Sequence, residues 1–313
     1  MSPDLPPAAH ALLAAWAALV GAVVGSFLNV VIARVPAGQS VVRPRSRCPR
    51  CGAAIAWYDN VPVVSWLLLR ARCRGCGLGI SARYPLVELL GGAAGLLAFQ
   101  RHGLSLEALA ELVFVALLIA LAFIDLDTWL LPNALTWPLL GLGLAASALR
   151  LSSAPSLVSS LAGAGIGFAA FYAVAVLGEK LLHKEAMGFG DVWLLAGLGA
   201  WSGAGALLPI VLLSSLQGSI VGLLLIALGK SQPGPPVPAE TAAQPDEVEP
   251  LAHPETPEGS PEGAPAPASD AEADWIPPRH SVPFGPFLVA GALEWLYLSG
   301  ALARAVPALG LLH

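Results

Sequence analysis

Charged side chains are scarce in this chain of 313 residues: 12% are charged against 56% hydrophobic, with a mean hydropathy of +0.71. A water-soluble fold would lack the polar residues needed to cover its surface, so that class is excluded. Cysteine is rarer still. All four lie between residues 48 and 76, which excludes a disulfide framework spread over the chain. No Gly-rich nucleotide loop follows a strand-like run, and no Rossmann alternation is present, so the chain shows no nucleotide fold of that kind. No basic residue precedes the first apolar run, and its first cation, Arg34, follows it. That run reads as a retained anchor instead of a cleaved signal peptide.

What is abundant is apolar sequence in runs long enough to cross about 30 Å of hydrocarbon as helices. They lie near 10–33, 84–100, 104–124, 130–149, 156–181, 187–203, 206–228 and 284–305, and two are short. The expected fold is an all-α polytopic membrane protein of about eight transmembrane helices, with a small cytoplasmic zinc-ribbon-like loop domain. Its expected segments are a first anchor at 1–35, a zinc-binding loop with all four cysteines at 36–84, a transmembrane core at 85–230, an insert at 231–278, and a last helix with the C-terminus at 279–313. Residues 36–84 hold eight of the sixteen Lys and Arg against one acid, Asp59. The positive-inside rule places such a loop in the cytoplasm and the N-terminus outside. Lys180, Lys184, Lys230 and Arg279 then fall inside, and Arg101, Arg150 and Arg304 outside. Residues 231–278 carry ten of the 21 acids, many prolines and no Lys or Arg; this composition predicts a disordered cytoplasmic insert, either a solvated linker or a docking tail for a basic partner.

Cys48-x2-Cys51 and Cys73-x2-Cys76 are each followed by a glycine, Gly52 or Gly77. Each pair suits a tight knuckle that aims two thiolates at one ion, and two knuckles complete a tetrahedral site of four sulfurs. A structural Zn2+ is expected, with no open position for a catalytic water. The nearby arginines suit orientation of the loop and contact with anionic lipid heads; no accompanying module points to nucleic acid.

Acids inside apolar spans are costly and mark candidate sites. Asp125 and Asp127 stand in "LAFIDLDTWLLPNALTW" and Asp191 in "EAMGFGDVWLLAGLGAW"; by the topology above all three lie near the cytoplasmic face. Pro132, Gly188 and Gly190 are expected to interrupt helix geometry beside them. Two carboxyl groups brought together there supply one acid and one base acting on a shared water. Two other readings stand beside this one: Asp125-x-Asp127 as a metal or diphosphate site, and a zinc-stabilised scaffold or ion or proton transporter that uses the buried aspartates.

Four ordered motifs bear on the choice: "GSFLNVVIARVP" at 25–36, the cysteine loop from "CPRC" to "ISARYPLVE", "IDLDTWLLPN", and the GxGD of Gly188 to Asp191. Together they resemble the type IV prepilin peptidases, polytopic aspartic proteases of the bacterial inner membrane. The resemblance covers nearly all the chain except the acidic insert. It implies an enzyme that cuts the basic leader from type IV prepilins or type II secretion pseudopilins at the cytoplasmic face, then N-methylates the new terminus with S-adenosylmethionine as donor. It also implies that the cysteine loop is the cytoplasmic domain of the bifunctional members. Matched residue by residue, the catalytic pair falls on Asp125 and Asp191. Asp127 falls on a position the family varies and is expected, with Gly188, Gly190 and Asn133, in a supporting role. The chain departs from the pattern at Asn133, where an Asp often stands, at Trp193, where a Lys is usual, and in the length of the insert. The implied partners are the pilin-type substrates and membrane lipid, without nucleic acid.

Overall fold

A computed structural model describes residues 6–182, 187–228 and 282–305. The acidic insert at 231–278, together with Lys184, Lys230 and Arg279, lies outside the described residues. Nine α-helices occur among the described residues: α1 (Pro7–Arg34), α2 (Val64–Leu68), α3 (Arg83–His102), α4 (Leu106–Thr128), α5 (Asn133–Ala148), α6 (Leu157–Leu182), α7 (Phe189–Ser202), α8 (Ala204–Ala227) and α9 (Gly285–Ala305). The eight longer ones coincide with the eight apolar runs. By length and composition, α1, α4, α6 and α8 can each cross a membrane. At about 1.5 Å per residue the short α5 and α7 reach only about 24 and 21 Å. No sheet is present among the described residues, only two isolated bridges, Arg47 to Ala54 and Arg72 to Gly79.

Large apolar side chains point outward along whole helices, as with Leu12, Trp16, Leu19, Val23 and Phe27 of α1 and Leu208, Leu212, Leu216 and Leu223 of α8. A surface of this kind is at home in lipid, where apolar exposure carries no cost. Association of the helices must then come from close packing, because lipid tails are as apolar as leucine. α1 and α3 meet through two interlocked small-residue stripes, Gly21-x3-Gly25 and Gly91-x3-Gly95. A Cβ on Gly21 would strike the Gly91 carbonyl oxygen, and one on Gly25 would lie 2.6 Å from the Val87 carbonyl oxygen. α6 and α7 repeat the device, with Gly163 against Gly199 and Gly167 against the Leu195 backbone.

α4 and α7 form the interior. α4 contacts α1, α3, α5 and α9, and α7 contacts α5, α6 and α9. Every residue of α7 from Leu194 to Trp201 is buried, and Trp201 stacks on Phe114 of α4 with ring centroids 4.3 Å apart. α4 starts at Ser105, whose hydroxyl accepts from the Ala108 N–H at 3.2 Å, an N-cap. It ends with Trp129 in the left-handed conformation, φ 59°, three residues before Pro132. This sharp stop leaves Asp125 and Asp127 in the last turn.

Candidate active site

Asp125 is buried at the end of α4, 5% exposed, and its Oδ2 accepts a hydrogen bond at 3.0 Å from the Gly285 N–H at the start of α9. Asp191 occupies the first turn of α7, and its own N–H donates to the Gly188 carbonyl at 3.1 Å. Its Oδ1 is enclosed without a hydrogen-bond partner among the described residues. The two carboxylates are near enough for one to feel the charge of the other. Leu131, in the turn between α4 and α5, closes the space. A Cβ on Gly190 would stand 2.6 Å from Leu131 Cβ, and one on Gly285 would stand 3.4 Å from Leu131 Cδ1. Segments far apart in the chain thus converge on one point: the end of α4, the turn after it, and the beginnings of α7 and α9.

Of the GxGD glycines, Gly188 interrupts the helices as expected and Gly190 does not. Neither Gly188 nor Gly190 has a positive φ. Gly188 caps α7 from outside, and Gly190 lies inside the helix, where its missing side chain lets Leu131 approach. Pro132 does interrupt the helices, as the N-cap of α5.

Asp127 turns to α3 instead. The Arg83 Nη1 stands 2.8 Å from its Oδ1 and 2.6 Å from its Oδ2, while the guanidinium also lies over the Phe123 ring at 5.2 Å. Asp125 and Asp127 therefore have separate partners, an arrangement unlike a two-carboxylate cation or diphosphate site. Asn29, Ile32, Ala33, Arg83, Tyr84 and Asp127 line a cavity of about 70 Å3 at this end of α1, α3 and α4. Asn133 is exposed at the first position of α5. Trp193 packs with Phe168 at 4.9 Å, Trp137 at 5.9 Å and Phe189 at 6.4 Å between centroids. An aromatic cluster thus stands where the resembled pattern carries a lysine.

The four cysteines come together as expected. Their sulfurs lie within 4.8 Å of one another, and Cys48 Sγ is 3.7 Å from Cys76 Sγ. A zinc ion with about 2.3 Å bonds sets tetrahedral sulfurs about 3.8 Å apart, so the donor set fits. The two knuckles are copies. The Cys48 N–H donates to Ala53 and the Gly52 N–H to Cys48; the Cys73 N–H donates to Leu78 and the Gly77 N–H to Cys73. Gly52 and Gly77 have φ of 68° and 69°, a conformation that favours glycine. Backbone N–H groups of Cys51 and Arg50 pull the Cys48 thiol down to about 6, toward the thiolate a metal requires. Between the knuckles, α2 is anchored to the helical body by Glu88 of α3, which accepts from the Val63 N–H at 2.7 Å.

Comparison with known proteins decides the family. Residues 19–102 match the bacterial peptidase A24 N-terminal domain, and residues 112–223 match the type IV leader peptidase family. A protein of Myxococcus xanthus named prepilin leader peptidase/N-methyltransferase is 44% identical, over 95% of this chain and 93% of its own. The chain belongs to the type IV leader peptidase family. Two further relatives carry the same name: that of Stutzerimonas stutzeri is 39% identical over 71% of this chain and 84% of its own, and that of Aeromonas hydrophila 40% identical over 70% and 83%. No solved structure matches the chain.

Four residues escaped the sequence reading. Gly285 and Leu131 show no polar signal at all, although the "PFGP" before the last apolar run places a glycine at a helix start. Glu88, 9% exposed, and Glu111, 1% exposed, are acids within helices that the reading passed over.

Proposed function

We propose that this chain cleaves the basic leader of type IV prepilins or pseudopilins with Asp125 and Asp191 as an aspartic dyad, and then N-methylates the new terminus. The carrying observation is the convergence on Leu131 of the end of α4 and the starts of α7 and α9, which brings Asp125 and Asp191 into one enclosed region. One carboxylate takes a proton from water as that water attacks the scissile carbonyl. The other gives its proton to the carbonyl oxygen, and collapse of the tetrahedral species transfers a proton to the leaving amine. Neither step needs a metal or a nucleophilic side chain. Supporting roles follow the geometry where it speaks: Gly190 admits Leu131, Gly188 caps the helix that carries Asp191, and Asp127 holds Arg83, while Asn133 is an exposed first residue of α5 two positions after Leu131.

The cysteine loop fits a structural Zn2+ held by Cys48, Cys51, Cys73 and Cys76, whose chemistry is to fold the loop. S-adenosylmethionine supplies an electrophilic methyl group. Its amino-acid end bears an ammonium and a carboxylate, and the paired Asp127 and Arg83 on the wall of the small cavity offer the complementary charges. These two residues would hold that end. In the orientation proposed here, α4 ends and α7 and α9 begin at the cytoplasmic face of the inner membrane, next to the arginine-rich loop.

Asp125→Asn and Asp191→Asn should each abolish leader loss from a co-expressed pilin, read by mass spectrometry, because an amide keeps the shape but cannot transfer the proton. Asp127→Asn should retain measurable cleavage. Wild-type cleavage by either of the first two variants would sink the dyad, and the transporter reading would gain.

A further inference from the structure

The match to the peptidase family ends at residue 223, short of α9. We propose that α9 nevertheless completes the active site, with Gly285 as the positioning residue for Asp125. The inference rests on the dyad reading and adds to it the question of what holds the first carboxylate still.

Backbone hydrogen bonding at the start of α9 leaves one amide for this task. The Phe287 and Leu288 N–H groups both donate to the Phe284 carbonyl, at 3.1 Å each. Pro286 has no N–H. The Gly285 N–H is directed at Asp125 Oδ2, in a buried contact between residues 160 positions apart. Space at the same point is fitted to glycine. An added Cβ would lie 2.5 Å from Asp125 Oδ2, closer than side chains tolerate, and 3.2 Å from its Cγ, a tight contact. Alanine there must push the carboxylate away or draw α9 back, and either change lengthens the hydrogen bond.

The remainder of α9 fixes the amide from a distance. Gln217 of α8 donates to Glu294 at 2.8 Å, a Cβ on Gly291 would meet the Ile210 carbonyl at 2.8 Å, and Arg101 lies 5.3 Å over the Tyr297 ring. The helix is thus held along its length, with its first amide at Asp125. The amide occupies one acceptor site of Asp125 Oδ2 and so fixes how the carboxyl is turned. The remaining acceptor sites of the carboxyl, on both oxygens, are left for proton exchange with water and Asp191.

The test compares Gly285→Ala with Gly300→Ala, a change on the same helix at a glycine whose added Cβ meets nothing within 4 Å. Gly285→Ala should lower kcat for leader cleavage by about tenfold to a hundredfold, the scale of a misplaced reacting group, with KM held within about twofold. Gly300→Ala should leave both unchanged. Methylation of a leader-free pilin by Gly285→Ala should continue, which a collapsed fold would not permit. A wild-type kcat in Gly285→Ala, with Asp125→Asn inactive, overturns this proposal alone; an active Asp125→Asn overturns the dyad beneath it. A second measurement stands even if Gly285→Ala does not accumulate. Amide exchange in the 282–290 peptide should accelerate in Asp125→Ala, which removes the acceptor, and unchanged exchange would also overturn the proposal.

Discussion

Glu111 shows how much a single side chain carries in this molecule. It is 1% exposed in α4, and its Oε2 accepts from Arg101 Nη1 and stands against His102 Nε2, both at 2.8 Å. Among the described residues, its Oε1 and the Tyr297 hydroxyl are enclosed without a partner at standard geometry. An acid so placed costs solvation that only its partners offset, and removal of one partner strands the others. Breaking a buried pair costs about 3 to 5 kcal/mol, and Arg101, 35% exposed, can recover some hydration. Glu111→Ala should thus destabilise by about 3 kcal/mol, and Glu111→Gln, which keeps the shape and a hydrogen-bonding group, by clearly less. Thermal unfolding in detergent measures both; equal, wild-type stability in the two would mean the cluster supports nothing. Trp193 makes a different point. Where the resembled pattern carries a lysine, Trp193 instead packs on Phe168 and Trp137, two residues along α7 from Asp191.

At the scale of elements, local patterns carry most of the information and distant contacts the rest. Zinc illustrates the first. Cysteine spacing and a glycine after each pair specify both knuckles without reference to the rest of the chain, and the structure repeats one hydrogen-bond pattern in each. Purified protein should therefore carry about one zinc per chain, lost when Cys48 and Cys51 are both changed to serine, because hydroxyls replace thiolates poorly. Metal analysis by mass spectrometry reads this directly, and zinc that stays stoichiometric in the double variant would refute the assignment. The eight long helices were legible from apolar runs for the same reason: length and composition are local. The short α2 was not, since five residues in a loop have no period to read and are held by Glu88 and by Ser65 on the Tyr58 carbonyl. The α1 to α3 glycine stripes drew no notice in the sequence, since their meaning lies in a pairing that is a tertiary fact. Gly285 is the extreme case, since its function depends on a carboxylate 160 residues away. Asp125 and Asp191 drew notice as acids in apolar runs, and only the family resemblance set Asp125 above Asp127; a glycine in such a run gives no signal.

For the whole molecule, the question is how one chain can house the two chemistries proposed for it. The proposed dyad draws on the end of α4 and the starts of α7 and α9, while the cavity with Arg83 and Asp127 lies between α4 and the α1–α3 pair. Only α4 belongs to both, and its two aspartates face different partners. If the cavity holds the methyl donor, the two activities should separate by substitution. Arg83→Met removes the cation that would meet the donor's carboxylate, leaving the dyad and the Gly285 contact untouched. It should weaken binding of S-adenosylhomocysteine, measured by isothermal titration, by about tenfold or more, the scale of a hydrogen bond to a charged group. Methylation should fall with it and leader cleavage should stay within about twofold. Arg83→Lys keeps the charge but not the planar fork, and should bind between the two. Asp125→Asn should show the opposite pattern, with no leader cleavage but continued methylation of a pilin supplied without its leader. Equal loss of cleavage and donor binding in Arg83→Met would show that the Arg83 to Asp127 bridge holds the site together as a whole, and the division of labour across α4 would be wrong.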